Sequence, residues 1–536
     1  MATVEDKPAA APAAPAAASV GAIDIGSNSI RMVIAQVAPD GKIEILENLQ
    51  RAVRLGQDTF RRGRLAPETL RAAVAILRDY RRLLDTYGVH RIRAVATSAV
   101  REASNADAFL DRLLMVTGLE ATVIDPAEES RLTVSAVRQD VGKSLEGRRG
   151  DVLLAEVGGG STLLTILHEG KIAASQSLLL GSVRLQEMLS TSAETPERSS
   201  QMLRQEITKV IAVNRDALQL KRVTGFIAMG ADARFAAAQV GKPAATPELV
   251  RVPKASLDKL VRRCAGLSAE QLARKYDLAF PEAETLNPAL LIHQALLHAT
   301  RAREMIVSPM SMRDGLLLDL ARSVTGREDE ELWEGVLGSA LAVAEKYRVD
   351  MAHGQNVSAL AVSLFDQLQS EHRLTSRQRL LLRVAGLVHE VGGFVSSRSH
   401  HKHSYYLIAN SEIFGLTREE TLTVALLARY HRRSPPKPLH VEYMTMPRDV
   451  RMVINKLAAL LRLADALDRG HSQQVREVRC EPREDELVIF TPGVKDLALE
   501  RRAAAAKADL FEEIYGLKVR LEEEPAVRPA AGAAGA

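Results

Sequence analysis

The stretch GAIDIGSNSIRMVIAQVAPDGKIEILENLQRAVRLG, Gly21–Gly56, decides the fold. An apolar run ends near an acid, Asp24, and a Gly/Ser/Asn turn follows. A second apolar run, a Gly41-Lys42 turn and a third run complete the unit. β-Branched residues favour strands, and Gly, Asn and Asp favour turns, so three consecutive strands are predicted. Roughly 130 positions later the pattern returns in LLAEVGGGSTLLTILHEGKIAASQSLLLGSVRL, Leu153–Leu185. Asp24 aligns with Glu156, Gly26 with Gly158, Ser29 with Ser161, Gly41-Lys42 with Gly170-Lys171, and Val53-Arg54-Leu55 with Val183-Arg184-Leu185. The chain therefore carries a duplicated strand–turn–strand unit.

Each turn suits phosphate. Glycine lets the backbone come close to an anion, and successive turn N–H groups form a concave anion nest. Ser27, Asn28, Ser29, Ser161 and Thr162 add side-chain donors. The acid before each turn repels phosphate directly but suits a bridging Mg²⁺. The candidate phosphate contacts are Gly26, Ser27, Asn28, Ser29 and Arg54 in the first copy. In the second they are Gly158, Gly159, Gly160, Ser161 and Thr162.

At 536 residues the chain exceeds one hydrophobic core, and two to four domains are expected. Hydrophobic content of 46% and charged content of 26% are those of a soluble globular protein. No apolar run approaches the ~20 residues that span a bilayer. The opening Ala/Pro tract carries Glu5 and Asp6 and lacks the apolar core of a signal peptide. Cys264 and Cys480 lie far apart without metal-ligand spacing, so a cytoplasmic location is expected. A net charge of +4 is too small to argue for nucleic acid, and none is expected as a partner. Basic residues cluster locally, at Arg51, Arg54, Arg61, Arg62 and Arg64, in His400–Ser404 and in Arg429–Arg433. They read either as solvated helix faces or as a track for a polyanion.

From about Glu328 to His471 the text is helical. His353 shares a face with Val357, Leu360, Ala361 and Leu364, His389-Glu390 ends an apolar helix, and Asp465 lies on an apolar stripe. Such a buried acid needs a partner. The set resembles the metal-binding pattern of HD-type domains, with His-Glu in place of the usual central His-Asp. A structural role is expected, the histidines and Asp465 satisfying one another by hydrogen bonds. His400, His401, His403 and His431 read as basic contacts to a polyanion or, second, as metal ligands. Beyond His471 a small module of two strands, a helix and a last strand is predicted.

The two turns are similar to the phosphate loops of the actin, Hsp70 and sugar-kinase superfamily. Within it the chain resembles the exopolyphosphatase and guanosine pentaphosphate phosphohydrolase family. ATSAVREASN (Ala96–Asn105), DPAEESRL (Asp125–Leu132), LGSVRL (Leu180–Leu185, the strand after the second loop) and SPMSMRDGLLLDL (Ser308–Leu320) carry the likeness. It implies an α/β fold of two RNase H-like, actin-like lobes, then an all-α HD-type domain and a small α+β module. The expected divisions are a tail over 1–18, lobes over 19–140 and 141–325, the helical domain over 326–472, the module over 473–525 and a tail over 526–536. It also implies Mg²⁺-dependent release of terminal phosphate from inorganic polyphosphate or guanosine pentaphosphate, guanosine tetraphosphate as a further ligand, and a homodimer. By motif position Glu129 is the catalytic glutamate, while Asp24 and Glu156 hold the metal. An acidic helix N-terminus is the plainer reading of Glu128 and Glu129.

Three departures stand out. Glu156 replaces the family's aspartate, Leu163 stands where some members place a glutamate, and FIAMGADARFAA (Phe226–Ala237) keeps only Gly230 of a Gly-Gly-Thr turn. They keep open a non-hydrolytic sensor of polyphosphate or a guanosine alarmone. A kinase or ATPase of the superfamily is the third alternative.

Overall fold

The structure, a computed structural model, describes residues 17–145, 150–244, 249–325, 330–494 and 496–524. Of the expected N-terminal tail only residues 17 and 18 are described, and Ala18 already begins a strand. The expected C-terminal tail lies outside the described residues. The chain divides into two compact units, Met1–Lys171 with Ser175–Glu330, and Glu331–Ala536 with Ile172–Ala174.

The first unit is built on two sheets. β1 (Ala18–Ile25), β2 (Ser29–Val37), β3 (Ile43–Ala52), β4 (Arg91–Ala96) and β5 (Ala121–Val123) take the order β3-β2-β1-β4-β5. β6 (Asp151–Val157), β7 (Thr162–His168), β8 (Lys171–Leu178), β9 (Val223–Met229), β10 (Lys242–Pro243), β11 (Val250–Pro253) and β12 (Glu304–Val307) take the order β10-β11-β12-β9-β6-β7-β8. Read from β8 inward, the second sheet repeats the first and adds two edge strands. In both, the opening hairpin is antiparallel and the next strand joins the first in parallel. The duplication read from the sequence is thus a duplication of the lobe. Both faces of these sheets are covered, so the strands read as near-continuous apolar runs. Val20, Ala22, Ile23 and Ile25 of β1 are all fully buried.

Two local readings change. LGSVRL enters a helix, Ser182–Leu189, with Gly181 as its N-cap; it is not a strand. The corresponding helix of the first lobe, Leu55–Arg62, has Arg54 as its N-cap. Helix start against helix start therefore pairs Arg54 with Gly181, three positions away from the Val-Arg-Leu alignment. The chain also returns to the first lobe at its end. The helix Met312–Thr325 packs Leu316, Leu317 and Leu320 against Val20, Val33 and Val95, which cuts across the expected lobe of 141–325.

The second unit is helical, with a three-stranded sheet at its C-terminal end: β13 (Arg479–Pro482), β14 (Glu486–Pro492) and β15 (Lys518–Glu524). The expected single helix of this module is two, Ala498–Lys507 and Asp509–Tyr515. Leu487, Ile489 and Phe511 share one apolar core with Leu360, Leu381, Leu427 and Leu461 of the long helices, so the module is packed into the helical domain. Among the described residues no helix is long and apolar enough to cross a membrane.

Candidate active site

The carboxyl ends of β1, β4, β6 and β9 converge on one cleft, the place where α/β sheets commonly bind ligands. The two turns face each other there. Gly26 N–H donates to Ser29 O at 3.1 Å and Gly158 N–H to Ser161 O at 2.9 Å, so the turns close with the same bond. The cleft encloses about 250 Å³. Gly26, Ser27, Asn28 and Ser29 line it from one side, and Gly158, Gly159, Gly160 and Ser161 from the other.

Among the carboxylates that line this space are Asp24 from β1, Glu156 from β6, and Glu129 from the helix Pro126–Leu145. That helix begins with Pro126, and Asp125 accepts the Glu128 N–H at 2.8 Å, fixing its first turn. The fixed turn separates the two glutamates. Glu128 turns to Arg93 and Arg131, each at 2.6 Å, and serves an ion-pair network with Asp319. Glu129 faces the cleft, 7% exposed, and accepts from Arg101 at 2.6 Å. Its place in the cleft is more than a helix N-terminus requires. Glu156 Oε2 accepts from Thr133 Oγ1 at 2.7 Å, so the longer side chain has a specific partner.

Burial pushes Glu129 up to about 7, against the pull of Arg101 and with help from the charges of Glu156 and Asp24. Burial also raises Asp24 and Glu156. Three carboxylates that resist sharing negative charge, Asp24 and Glu129 buried and Glu156 half-buried, form a set of oxygen ligands that a hard divalent cation satisfies. Asp24 and Glu156, at equivalent ends of the two duplicated strands, fit Mg²⁺ in their chemistry.

Two arginines that sequence reasoning missed complete the cleft. Arg31 lies 4.0 Å from Asp24, and Arg313 donates to Asn48 at 2.9 Å while its buried Nε has no partner. Arg31 is the one charged residue of the apolar strand SIRMVIAQV, a signal available in the sequence. Asp232 also lines the cleft and is held by buried His293 at 2.6 Å.

Other expected contacts are committed elsewhere. Arg54 pairs with Glu284 and stacks over Phe280, outside the cleft lining. Thr162 is fully buried and donates to Leu180 O, which ties the second turn to the chain before the helix Ser182–Leu189. The Asn28 amide donates to Pro281 O at 3.1 Å and closes the cleft's rim.

In the second unit His353 and His389 do come together with Asp465, but these three do not satisfy one another by hydrogen bonds. His353 Nε2 is 3.6 Å from Asp465, too long for a hydrogen bond, and Asp465 is taken by Lys507. His400, His401 and His431 are buried, so they are not surface contacts for a polyanion. His403 is half-buried. Arg51, Arg61, Arg62 and Arg64 do stay exposed, on the first lobe.

Comparison with known proteins fits this geometry. The model of the Ppx/GppA phosphatase family matches residues 33–324, and that of domain III of the Ppx/GppA phosphatases matches residues 338–501. The chain is similar in structure to an exopolyphosphatase from Cytophaga hutchinsonii, at 23% identity over 57% of this chain and 98% of that one, with a TM-score of 0.51. It is also similar to the Aquifex aeolicus member of the Ppx/GppA family, at 25% identity over 59% and 100%, with a TM-score of 0.47. The two actin-like lobes and the helical domain that follows them in the chain are the expected fold. With more than half its length matched by the first family model, the chain belongs to the Ppx/GppA phosphatase family.

Proposed function

We propose that the chain hydrolyses the terminal phosphoanhydride bond of inorganic polyphosphate, with Mg²⁺, and of guanosine pentaphosphate by the same chemistry. One observation carries this reading: Glu129, oriented by Arg101, faces two opposed phosphate-type turns in a cleft that also holds Arg31 and Arg313. Family membership supports phosphate release.

The turn N–H groups and the two guanidiniums bind the phosphate oxygens, and the fork of Arg313 suits them. Arg101 holds the Glu129 carboxylate in one orientation. Glu129 takes a proton from water as the water oxygen attacks the terminal phosphorus. The bridging P–O bond breaks, and its electron pair leaves on the shortened chain. A base near 7 matches the working pH of such a step. Held by Asp24 and Glu156, Mg²⁺ supplies charge neutralisation for the transferring group.

The test is phosphate release from long polyphosphate, guanosine pentaphosphate and ATP, with Mg²⁺ and then with a chelator. Release from the first two that stops on chelation is expected. Turnover of ATP alone would move the chain to the ATPases. Tight polyphosphate binding without release would make it a sensor.

A further inference from the structure

The cleft holds one acid that the proposed chemistry leaves unused. Asp232 stands in the first turn of the helix Ala231–Val240, just after the carboxyl end of β9. Its Oδ2 lies 2.6 Å from Nε2 of His293, on the helix Phe280–Ala299. His293 is fully buried and its Nδ1 has no hydrogen-bond partner, so Nδ1 is the bare nitrogen and Nε2–H donates to the carboxylate. A helix start favours an acid without any such anchor; a buried histidine bonded to it fixes the direction in which the carboxylate points. Oδ1 stays open to the cleft, since this is the one side-chain hydrogen bond of Asp232 among the described residues. A Cβ on Gly230 would lie 2.9 Å from Oδ1 and 3.6 Å from Val157 O, so the open oxygen stands beside the start of the second phosphate turn.

The surroundings decide what such an oxygen can bind. Phosphate oxygens accept hydrogen bonds, as a carboxylate does, so a bare phosphate chain gains nothing from Oδ1 and is repelled by its charge. The walls beside Asp232 are apolar. Phe235 lies one turn further along its helix, Leu286 and Ala289 precede His293 at helical spacing on one face, and Leu278 comes just before that helix; all four line the cleft. Phe235 is half-buried, its ring held edge-on by Tyr276 at 5.1 Å between centroids. Walls of this kind suit a flat uncharged ring with hydrogen-bond donors. They do not suit Mg²⁺, which keeps several of its waters.

We infer that Asp232, positioned by His293, determines specificity in the cleft: its carboxylate accepts from the sugar hydroxyls or base N–H groups of a nucleoside polyphosphate and disfavours inorganic polyphosphate at the same turns. This rests on the reading that the cleft takes both substrates proposed above. Asp232 sorts them by hydrogen-bond donors, which the nucleotide has and the inorganic chain lacks. A site built to hydrogen-bond one ligand rejects another without the donor far more strongly than apolar contact does.

Equilibrium binding of guanosine pentaphosphate and of inorganic pentaphosphate to the full chain is measured in chelator, without turnover, and KM for both is then measured with Mg²⁺. Asp232→Asn keeps an acceptor for His293 and turns an N–H toward the cleft. It should weaken the nucleotide about tenfold and tighten inorganic pentaphosphate about twofold, in binding and in KM alike. His293→Gln should shift the preference in the same direction by a smaller factor. On the wild type, an inosine analogue and a deoxy-sugar analogue of the nucleotide separate base from sugar, the weaker binder naming the donor. Should His293→Gln fail to fold, Asp232→Asn and the analogues still decide. Equal weakening of both ligands by Asp232→Asn, an unchanged preference, or two analogues that bind like the parent would overturn the inference. So would a loss seen with Mg²⁺ alone, which would make Asp232 a cation ligand. Absence of phosphate release from either ligand would instead sink the hydrolysis proposed above, with the binding preference still read in chelator.

Discussion

The two phosphate turns share a backbone and differ in everything attached to it. Both close with the same Gly N–H to Ser O bond. The first carries Ser27 and Asn28 where the second carries Gly159 and Gly160. The bare glycines follow from packing. A Cβ on Gly159 would lie 2.9 Å from Ser27 Cβ, and one on Gly160 would lie 2.1 Å from Ser98 Oγ and 2.7 Å from Phe60. Ser27 of the first turn thus takes the space of a side chain at Gly159, while Ser98 and Phe60, from the two helices that flank that turn in the first lobe, take the space at Gly160. A duplicated lobe keeps its turn geometry while one copy gives up its side chains to make room for Ser27, Ser98 and Phe60 of the other lobe. On this view the turns bind, and the acid between them does the chemistry.

The largest test of that division is Glu129→Gln. It should lower turnover about 10²–10⁴-fold while leaving polyphosphate affinity nearly unchanged. Phosphate-release kinetics and equilibrium binding are measured on the same preparation. Turnover near wild type would return chemistry to the turns.

The same substitution has a second signature in the metal-free protein. Burial holds Glu129 up to about 7, whereas an unfolded glutamate titrates near 4.5. The folded chain keeps a proton that the unfolded chain releases, so this contribution to stability is complete below about 4.5. It is lost as pH rises through 7. Wild type should lose up to about 3 kcal/mol over that window, and Glu129→Gln should lose less. Thermal melts from pH 4 to 8 follow the difference; parallel curves would mean that Glu129 is not held protonated between the turns.

What the sequence revealed and what it hid divide along a physical line. The duplicated strands and turns were legible because alternating apolar runs and Gly/Ser turns are local signals. Arg54 and Arg31 show the limit. Both are arginines beside a phosphate turn, but Arg54 meets Glu284, 230 positions away, and Arg31 meets the cleft. Only tertiary structure sorts them. The histidines of HHKHS read as basic surface because charge suggests solvent, yet helix packing buries His400 and His401. Gly181 misled for a related reason. It caps a helix because that helix crosses the second turn closely, a Cβ there falling 2.2 Å from Gly159 O.

A smaller effect separates the turns at equivalent positions. Asn28→Ala removes one bond to Pro281 and should cost about 1 kcal/mol of stability. Gly160→Ala drives a methyl group against Ser98 and Phe60 and should cost about 1–3 kcal/mol, with weaker substrate binding. Denaturant melts and KM report both. Equal costs at the two positions would break the proposed packing of the second turn against the first lobe.

The finest distinction concerns the two acids that precede the turns. Shortening Glu156 would restore the aspartate usual in the family, and the sequence comparison alone predicts faster turnover. The Thr133 hydrogen bond reverses that expectation. Thr133 Oγ1 reaches Glu156 Oε2 at 2.7 Å, so the helix that carries Glu129 also positions Glu156, and the extra methylene is what makes the contact. Glu156→Asp withdraws the carboxylate by about one methylene and leaves the threonine hydroxyl without its partner. Because misplacement near 1 Å can cost up to about 10²-fold, a loss of about tenfold in Mg²⁺-dependent turnover is expected. If the lost bond is the cause, adding Thr133→Val to Glu156→Asp should cost little more, a non-additivity that a double-mutant cycle reads directly. Asp24 has no such hydroxyl bond and sits 4.0 Å from Arg31 at 7% exposure. Asp24→Glu should therefore overpack its site and lose more than Glu156→Asp does. A Glu156→Asp variant at least as fast as wild type would show that Thr133 does not set the working position of this acid, and that the two strands still present their carboxylates alike.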